Sequence, residues 1–150
     1  MSTVSRPILL ATDDSNDVFA FRRYHKECGI YNPLEVVPDG HDVVRYLATN
    51  PLNFPLPALL IVSLKMRRMG GLQVLEHLIA TNQNGFPSVL LINSQDHNVT
   101  LVAAAYRLQA ESFLMRPIEK KEFCNFMSRF HTVTMDGYAD VAVGVASSCC

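Results

Sequence analysis

Four short apolar runs in this sequence each end in side chains able to do chemistry. Ile8-Leu-Leu-Ala11 is followed by Thr12, Asp13 and Asp14, and Ala58-Leu-Leu-Ile-Val62 by Ser63. Val89-Leu-Leu-Ile92 is followed by Asn93 and Ser94, and Phe113-Leu-Met115 by Arg116 and Pro117. Carboxylates supply hard oxygen ligands for a divalent cation. A serine hydroxyl becomes a nucleophile once a base takes its proton. A guanidinium grips a carboxylate or a phosphate with two parallel hydrogen bonds. Any one such residue is accounted for by a strand end meeting water. Four strands ending this way place polar groups around one crevice, provided the strands lie side by side.

The segments between the runs supply that arrangement. Asp14 or Ser15 can cap a helix whose inner face carries Val18, Phe21 and Cys28, with Gly29 suited to its stop. Leu34 to Val37 reads as a second strand, and Pro38-Asp-Gly turns into a helix carrying Val43, Val44 and Leu47. Asn50 to Pro57 is a proline-rich rigid loop. Further helices are expected after Gly70-Gly71 (Leu75, Leu78, Ile79), over Asn98 to Leu108 (Val102, Ala105, Tyr106) and over Lys120 to Phe130. The last would turn Phe123, Phe126, Met127 and Phe130 inward. Continuously apolar strands alternating with helices predict a parallel sheet covered on both faces, an α/β doubly wound (βα)5 sandwich. Ligands bind such sheets beyond the carboxyl ends of the strands, where the polar residues fall. One domain over residues 6–131 is expected, with 132–150 as a C-terminal tail.

Composition narrows the function. The chain has 150 residues, 49% of them hydrophobic, and a formal net charge of −1. That balance gives no electrostatic footprint for nucleic acid. The apolar runs are far short of the roughly 20 residues needed to cross a bilayer, and Met1 to Pro7 lacks the apolar core of a signal peptide. A cytoplasmic protein is expected, with Cys28 and Cys124 as buried free thiols in a reducing compartment and Cys149-Cys150 ending an exposed tail. Arg67 and Arg68 read as a solvated loop near the crevice, and the five histidines as separate surface or half-buried residues.

The order and spacing of several motifs resemble the receiver domains of two-component response regulators. The resemblance covers roughly residues 6–130. It rests on Ile8-Leu-Leu-Ala-Thr-Asp-Asp-Ser-Asn-Asp17, Val36-Val-Pro-Asp-Gly40, Leu59-Leu-Ile-Val-Ser-Leu-Lys-Met-Arg-Arg-Met-Gly-Gly71 and Ala110-Glu-Ser-Phe-Leu-Met-Arg-Pro117. The stretch from Asn16 is similar to the stand-alone receivers that work beside bacteriophytochrome-type sensor kinases. The resemblance implies a flavodoxin-like sheet of order 2-1-3-4-5.

The departures from that pattern carry the functional expectation. The first member of the acidic pair is Thr12, leaving Asp13 in register, with Asp14 beside it. The phospho-accepting Asp falls on Ser63, the switch Thr or Ser on Asn93 with Ser94 next to it, the Lys on Arg116 and the aromatic switch on Phe113. Pro117 falls where receivers commonly carry a cis peptide. The expectation is a degenerate phosphorylation site in a single-domain pseudo-receiver that acts by protein–protein interaction and is not an enzyme. No cofactor is expected, and no metal beyond weak Mg²⁺ at Asp13. Arg116 is expected to pair with Asp13 in place of the ion. The expected partner is a sensor histidine kinase or another signalling protein, with a homodimer as a further option and neither nucleic acid nor membrane. The alternative is a sensor of a small anion or nucleotide in the same crevice. A flavodoxin-like oxidoreductase fits poorly, because the acidic first loop would repel a flavin phosphate.

Overall fold

A computed structural model of the protein describes residues 6–49, 57–66, 68–81, 88–93 and 112–130, with positions 103–104, 106–108, 110, 133 and 135. The elements run β1 (Ile8–Ala11), α1 (Ser15–Glu27), β2 (Leu34–Val37), α2 (Gly40–Thr49), β3 (Leu59–Ser63), α3 (Gly71–Thr81), β4 (Val89–Asn93), β5 (Ser112–Met115) and α4 (Lys120–Met127). Of the helix expected over 98–108, positions 103–104 and 106–107 are helical and 108 is a turn; 98–102 and 105, and residues 50–56 of the proline-rich loop, lie outside the described residues. All strand pairs are parallel, in the order β2-β1-β3-β4-β5. This is the doubly wound sandwich that the continuous apolar strands predict.

Strand alternation divides the core into two halves. Ile8 and Leu10 of β1, Leu59 and Ile61 of β3, Ile92 and Leu114 pack against Phe21 of α1 and Phe123, Cys124 and Met127 of α4. Leu9, Ala11, Leu60, Val62, Val89 and Leu91 face the other way, against Val43 of α2 and Val74, Leu75 and Leu78 of α3. Side chains two apart share a face. The strand residues therefore sort by parity, and this parity also aims the polar residues that follow each strand.

On the first face α1 and α4 are tied together. The rings of Phe21 and Phe123 meet edge to face at 5.2 Å. The Tyr24 hydroxyl donates to the Ile118 carbonyl at 3.0 Å. Cys28 and Cys124 form a disulfide with Cα atoms 6.2 Å apart. The disulfide corrects the expectation of two free thiols: each cysteine is buried, and the helix packing brings together residues 96 apart in sequence. Val133 and Met135 are also buried in this cluster, and Met135 bridges Ile30. The packed core thus runs past residue 131, into the segment expected to be a tail.

On the second face the turn into α2 is pinned to the loop after β3. Asp39 accepts from the Asp42 N–H at 2.9 Å and from Arg68 Nε at 2.7 Å. Arg68 therefore is not simply a solvated loop charge; Arg67 lies outside the described residues. Gly40 donates its N–H to the Met69 carbonyl at 3.0 Å. A Cβ at Gly40 would sit 2.4 Å from that carbonyl oxygen and 2.6 Å from Val74 Cγ2.

Two expectations follow. Gly40→Ala forces backbone apart at a packed junction and should cost about 1–3 kcal/mol, read as a lower urea midpoint at unchanged slope. Burial pushes the Asp39 carboxyl up, but the Asp42 N–H, the Arg68 hydrogen bond and the Arg68 charge outweigh it and hold the pKa below its ordinary value. A depressed folded pKa stabilises the protein above the unfolded pKa, roughly 4, and the contribution is lost as pH falls through the folded value. The Tm of Asp39→Asn should therefore fall less steeply than wild type below about pH 4; parallel curves would exclude this role for Asp39.

Candidate functional site

The alternation, carried to the end of β3 and one residue past β1 and β5, places Ser63, Thr12 and Arg116 on the α1 side of the sheet. Thr12 follows the parity of Ile8 and Leu10, Ser63 that of Leu59 and Ile61, and Arg116 that of Ser112 and Leu114. Asp14 caps α1 by accepting from the Asn16 N–H at 2.8 Å. One turn on, Asp17 lies at positions i−4, i−7 and i−11 from Phe21, Tyr24 and Cys28, and so on the inward stripe of α1. It is buried.

These residues form one network. Arg116 grips Asp17 with both arms of its fork, Nε to Oδ1 at 3.0 Å and Nη2 to Oδ2 at 2.6 Å. The Thr12 hydroxyl donates to Asp17 Oδ2 at 2.7 Å and accepts from the Asp14 N–H at 3.1 Å. Arg116 Nη2 also donates to Ser63 Oγ at 3.1 Å, and the Ser63 hydroxyl donates onward to the Lys65 carbonyl at 3.0 Å. Asp14 lies 3.8 Å from Arg116 Nε. Among the described residues no buried side-chain nitrogen or oxygen lacks a hydrogen-bond partner. The hydrogen bond to Asp17 raises the Arg116 pKa; burial opposes it, and the charges of Asp17, Asp14 and Asp13 add to the rise.

The pairing of Arg116 with Asp17 corrects the expected pairing with Asp13. Asp13 follows the parity of Leu9 and Ala11, is exposed, and acts on Arg116 as the weakest of the three carboxylate attractions. Sequence reasoning missed Asp17 because an acid in the first turn of a helix is already explained by the helix dipole. The available signal was its place on the apolar stripe.

The other expected positions separate. Asn93 ends β4, in register with Met115; Ser94 lies outside the described residues. Phe113 lies on the opposite face, half-buried against the α2–α3 cluster, and meets the Tyr106 ring edge to face at 5.1 Å. The Arg116–Pro117 peptide is cis. A groove of about 400 Å³ opens beside the network, between the start of α1 (Asp14, Asn16, Asp17, Ala20) and the 116–118 loop.

Asp17 and Ser63 are engaged within the chain. Both Asp17 oxygens are taken by Arg116 and Thr12, and the Ser63 hydroxyl proton is committed to the Lys65 carbonyl. Among the described residues no three His, Cys, Asp or Glu side chains cluster as a metal site. No helix among them is long and apolar enough to cross a membrane.

Removing one partner of a buried pair costs ~3–5 kcal/mol, because the other charge stays desolvated. Arg116 is 24% exposed and Asp17 4%, so Asp17→Asn should cost about 2–3 kcal/mol in urea unfolding. Asp13→Asn should cost under ~1 kcal/mol. Equal losses from the two substitutions would contradict the assignment of Asp17 as the structural partner.

A scan against protein-family models finds no match, and a search of curated proteins finds none. Solved structures share the fold. The bacteriophytochrome response regulator RtBRR aligns with a TM-score of 0.73 and 24% identity over 85% of this chain and 78% of its own. The bacteriophytochrome response regulator AtBRR gives 0.71 and 25% over 84% and 92%. The Mn²⁺-bound form of response regulator Rcp1 gives 0.70 and 23% over 87% and 98%. The chain is thus similar to response-regulator receiver domains, and its five-stranded sheet is the flavodoxin-like receiver fold.

Proposed function

We propose that this protein acts as an atypical receiver domain that works by protein contact, without a phospho-accepting aspartate, with a sensor histidine kinase or another signalling protein as partner. The observation that carries the reading is the state of Ser63. It ends the central strand at the carboxyl edge of the sheet, is fully buried, and is hydrogen-bonded to Arg116 and to the Lys65 carbonyl. Accepting a phosphoryl group calls for an activated nucleophile, a divalent cation and access for the donor. Burial opposes access. The Arg116 contact donates to Ser63 and takes no proton from it. The charge beside it is a guanidinium already held by Asp17, where Rcp1 binds Mn²⁺ somewhere in the same fold.

The α1 surface supports the contact reading. Phe19 is 70% exposed, on a helix that also exposes Arg22 and Lys26. A large apolar side chain near positive charge suits an acidic, partly apolar partner surface. The small-anion reading is weaker, because an anion would have to draw Arg116 from Asp17 past the neighbouring carboxylates of Asp13 and Asp14.

The test is incubation with acetyl phosphate and Mg²⁺, followed by intact mass and by amide NMR at Asp13, Ser63 and Asn93 with beryllofluoride. The expected result is an unchanged mass and unshifted amides at millimolar Mg²⁺. A stable gain of one phosphoryl group, or a saturable shift at these three amides, would overturn the proposal.

A further inference from the structure

The disulfide and the ion pair join the same two parts of the chain. Asp17 belongs to α1, and Cys28 is the C-cap of that helix. Arg116 stands four residues before α4, and Cys124 lies within it. Between these two links lie the hydrogen bond from Tyr24 to the Ile118 carbonyl, the Phe21–Phe123 contact and the surface pair of Lys120 with Glu27 at 3.2 Å. Any shift of α4 along α1 has to be absorbed at Arg116, because the 116–119 loop is short and is held at Ile118.

We propose that Cys28 and Cys124 form a thiol–disulfide switch that sets how firmly the Arg116–Asp17 pair is closed. In the oxidised state the covalent link holds α4 on α1 and the pair stays shut. In the reduced state the same interface rests on aromatic packing, one buried-side hydrogen bond and an exposed ion pair, of which the last contributes little. Local opening of the end of α1 then becomes easier, and Arg116 follows the loop.

The chemistry is exchange with a small disulfide such as oxidised glutathione. One cysteine loses its proton, and its thiolate attacks a glutathione sulfur, breaking that S–S bond and releasing one glutathione thiolate, which takes up the proton. The second cysteine, deprotonated in turn, attacks the mixed disulfide at the protein sulfur and releases the second glutathione as a thiol. Two protein thiols are oxidised to one disulfide, and one oxidised glutathione is reduced to two thiols. Excess reduced glutathione runs the same steps backwards. Cys28 is 6% exposed and Cys124 3%, so exchange in either direction passes through the locally opened end of α1.

The inference rests on the reading of the crevice as a closed, unphosphorylated site, and its test is separate from that one. The full chain is equilibrated in mixtures of reduced and oxidised glutathione. Thiols are trapped with iodoacetamide and mapped by peptide mass, which distinguishes Cys28 and Cys124 from Cys149 and Cys150. Hydrogen exchange at Arg116 Nε–H is followed by ¹⁵N NMR on the same samples. The disulfide should convert reversibly while the protein stays folded, with Arg116 Nε–H exchanging roughly tenfold faster in the reduced form, as expected of a locally opened element. Equal exchange in both forms would overturn the coupling. A disulfide that persists in excess reduced glutathione, or one that never forms in oxidised glutathione, would overturn the switch. The paired substitutions Cys28→Ser and Cys124→Ser give a second route to the reduced behaviour; the glutathione series decides the matter should that variant fail to fold. A phosphoryl adduct in the acetyl phosphate experiment would overturn the underlying reading and leave the thiol result standing.

Discussion

The crevice depends on the buried carboxylate of Asp17. A charge taken out of water costs several kcal/mol unless a counter-charge with good hydrogen-bond geometry meets it. Here the counter-charge arrives from the far edge of the sheet, at 2.6 and 3.0 Å, and Thr12 supplies a third donor. The geometry selects arginine. A lysine ammonium would meet Asp17 as a point charge, whereas the planar fork reaches both carboxylate oxygens and still places Nη2 on Ser63. One side chain thus joins the start of α1 to the end of β3, and the first loop, α1 and the exit of β5 are fixed relative to one another by a single cation.

Packing makes that cation reliable. Ser63, Thr12 and Arg116 fall on one face because four neighbouring parallel strands lie in register, Ile8 opposite Leu59, Leu60 opposite Val89 and Leu90 opposite Ser112. The same face receives Phe21 and Phe123, whose edge-to-face contact lies directly beneath the network in sequence terms, four residues after Asp17 and seven after Arg116. A displacement of either helix large enough to part the ion pair would also part these rings. The polar network therefore inherits its rigidity from the apolar cluster under it, and its full hydrogen-bond satisfaction means that partial opening strands buried polar groups.

Much of this was legible in the sequence, for identifiable reasons. Strands buried on both faces need no alternation, so Ile8 to Ala11 and Leu59 to Val62 announce themselves by continuous apolar character, and the parallel order follows from helices between them. Thr12, Ser63 and Arg116 were legible because strand ends in such sheets converge. Asp17 was not, because a helix dipole, a solvated first turn and a buried ion pair all ask for an acid at that position; only its spacing to Phe21, Tyr24 and Cys28 separates them. The pairing of Arg116 with Asp13 failed on strand parity, which turns consecutive residues to opposite faces. Cys28 and Cys124 could not be paired from sequence, since residues 96 apart meet only once the helix positions are known.

A site neutralised by its own arginine has a consequence for how the molecule can be regulated. A ligand shifts a conformational equilibrium only by the difference in its affinity for the two states. Where a metal and a phosphoryl group supply that difference, the crevice is the control point. Here Arg116, Thr12 and Ser63 already satisfy one another and Asp17 within the chain, and on the proposed reading that network favours one arrangement of the crevice. On that reading control acts from outside the crevice, through a partner that binds one arrangement better, or through a bond elsewhere in the fold that changes the cost of leaving it. The partner requires exposed contact surface, which α1 offers at Phe19. The bond must join α1, which carries Asp17, to the segment that follows Arg116, and the disulfide between Cys28 and Cys124 of α4 does so.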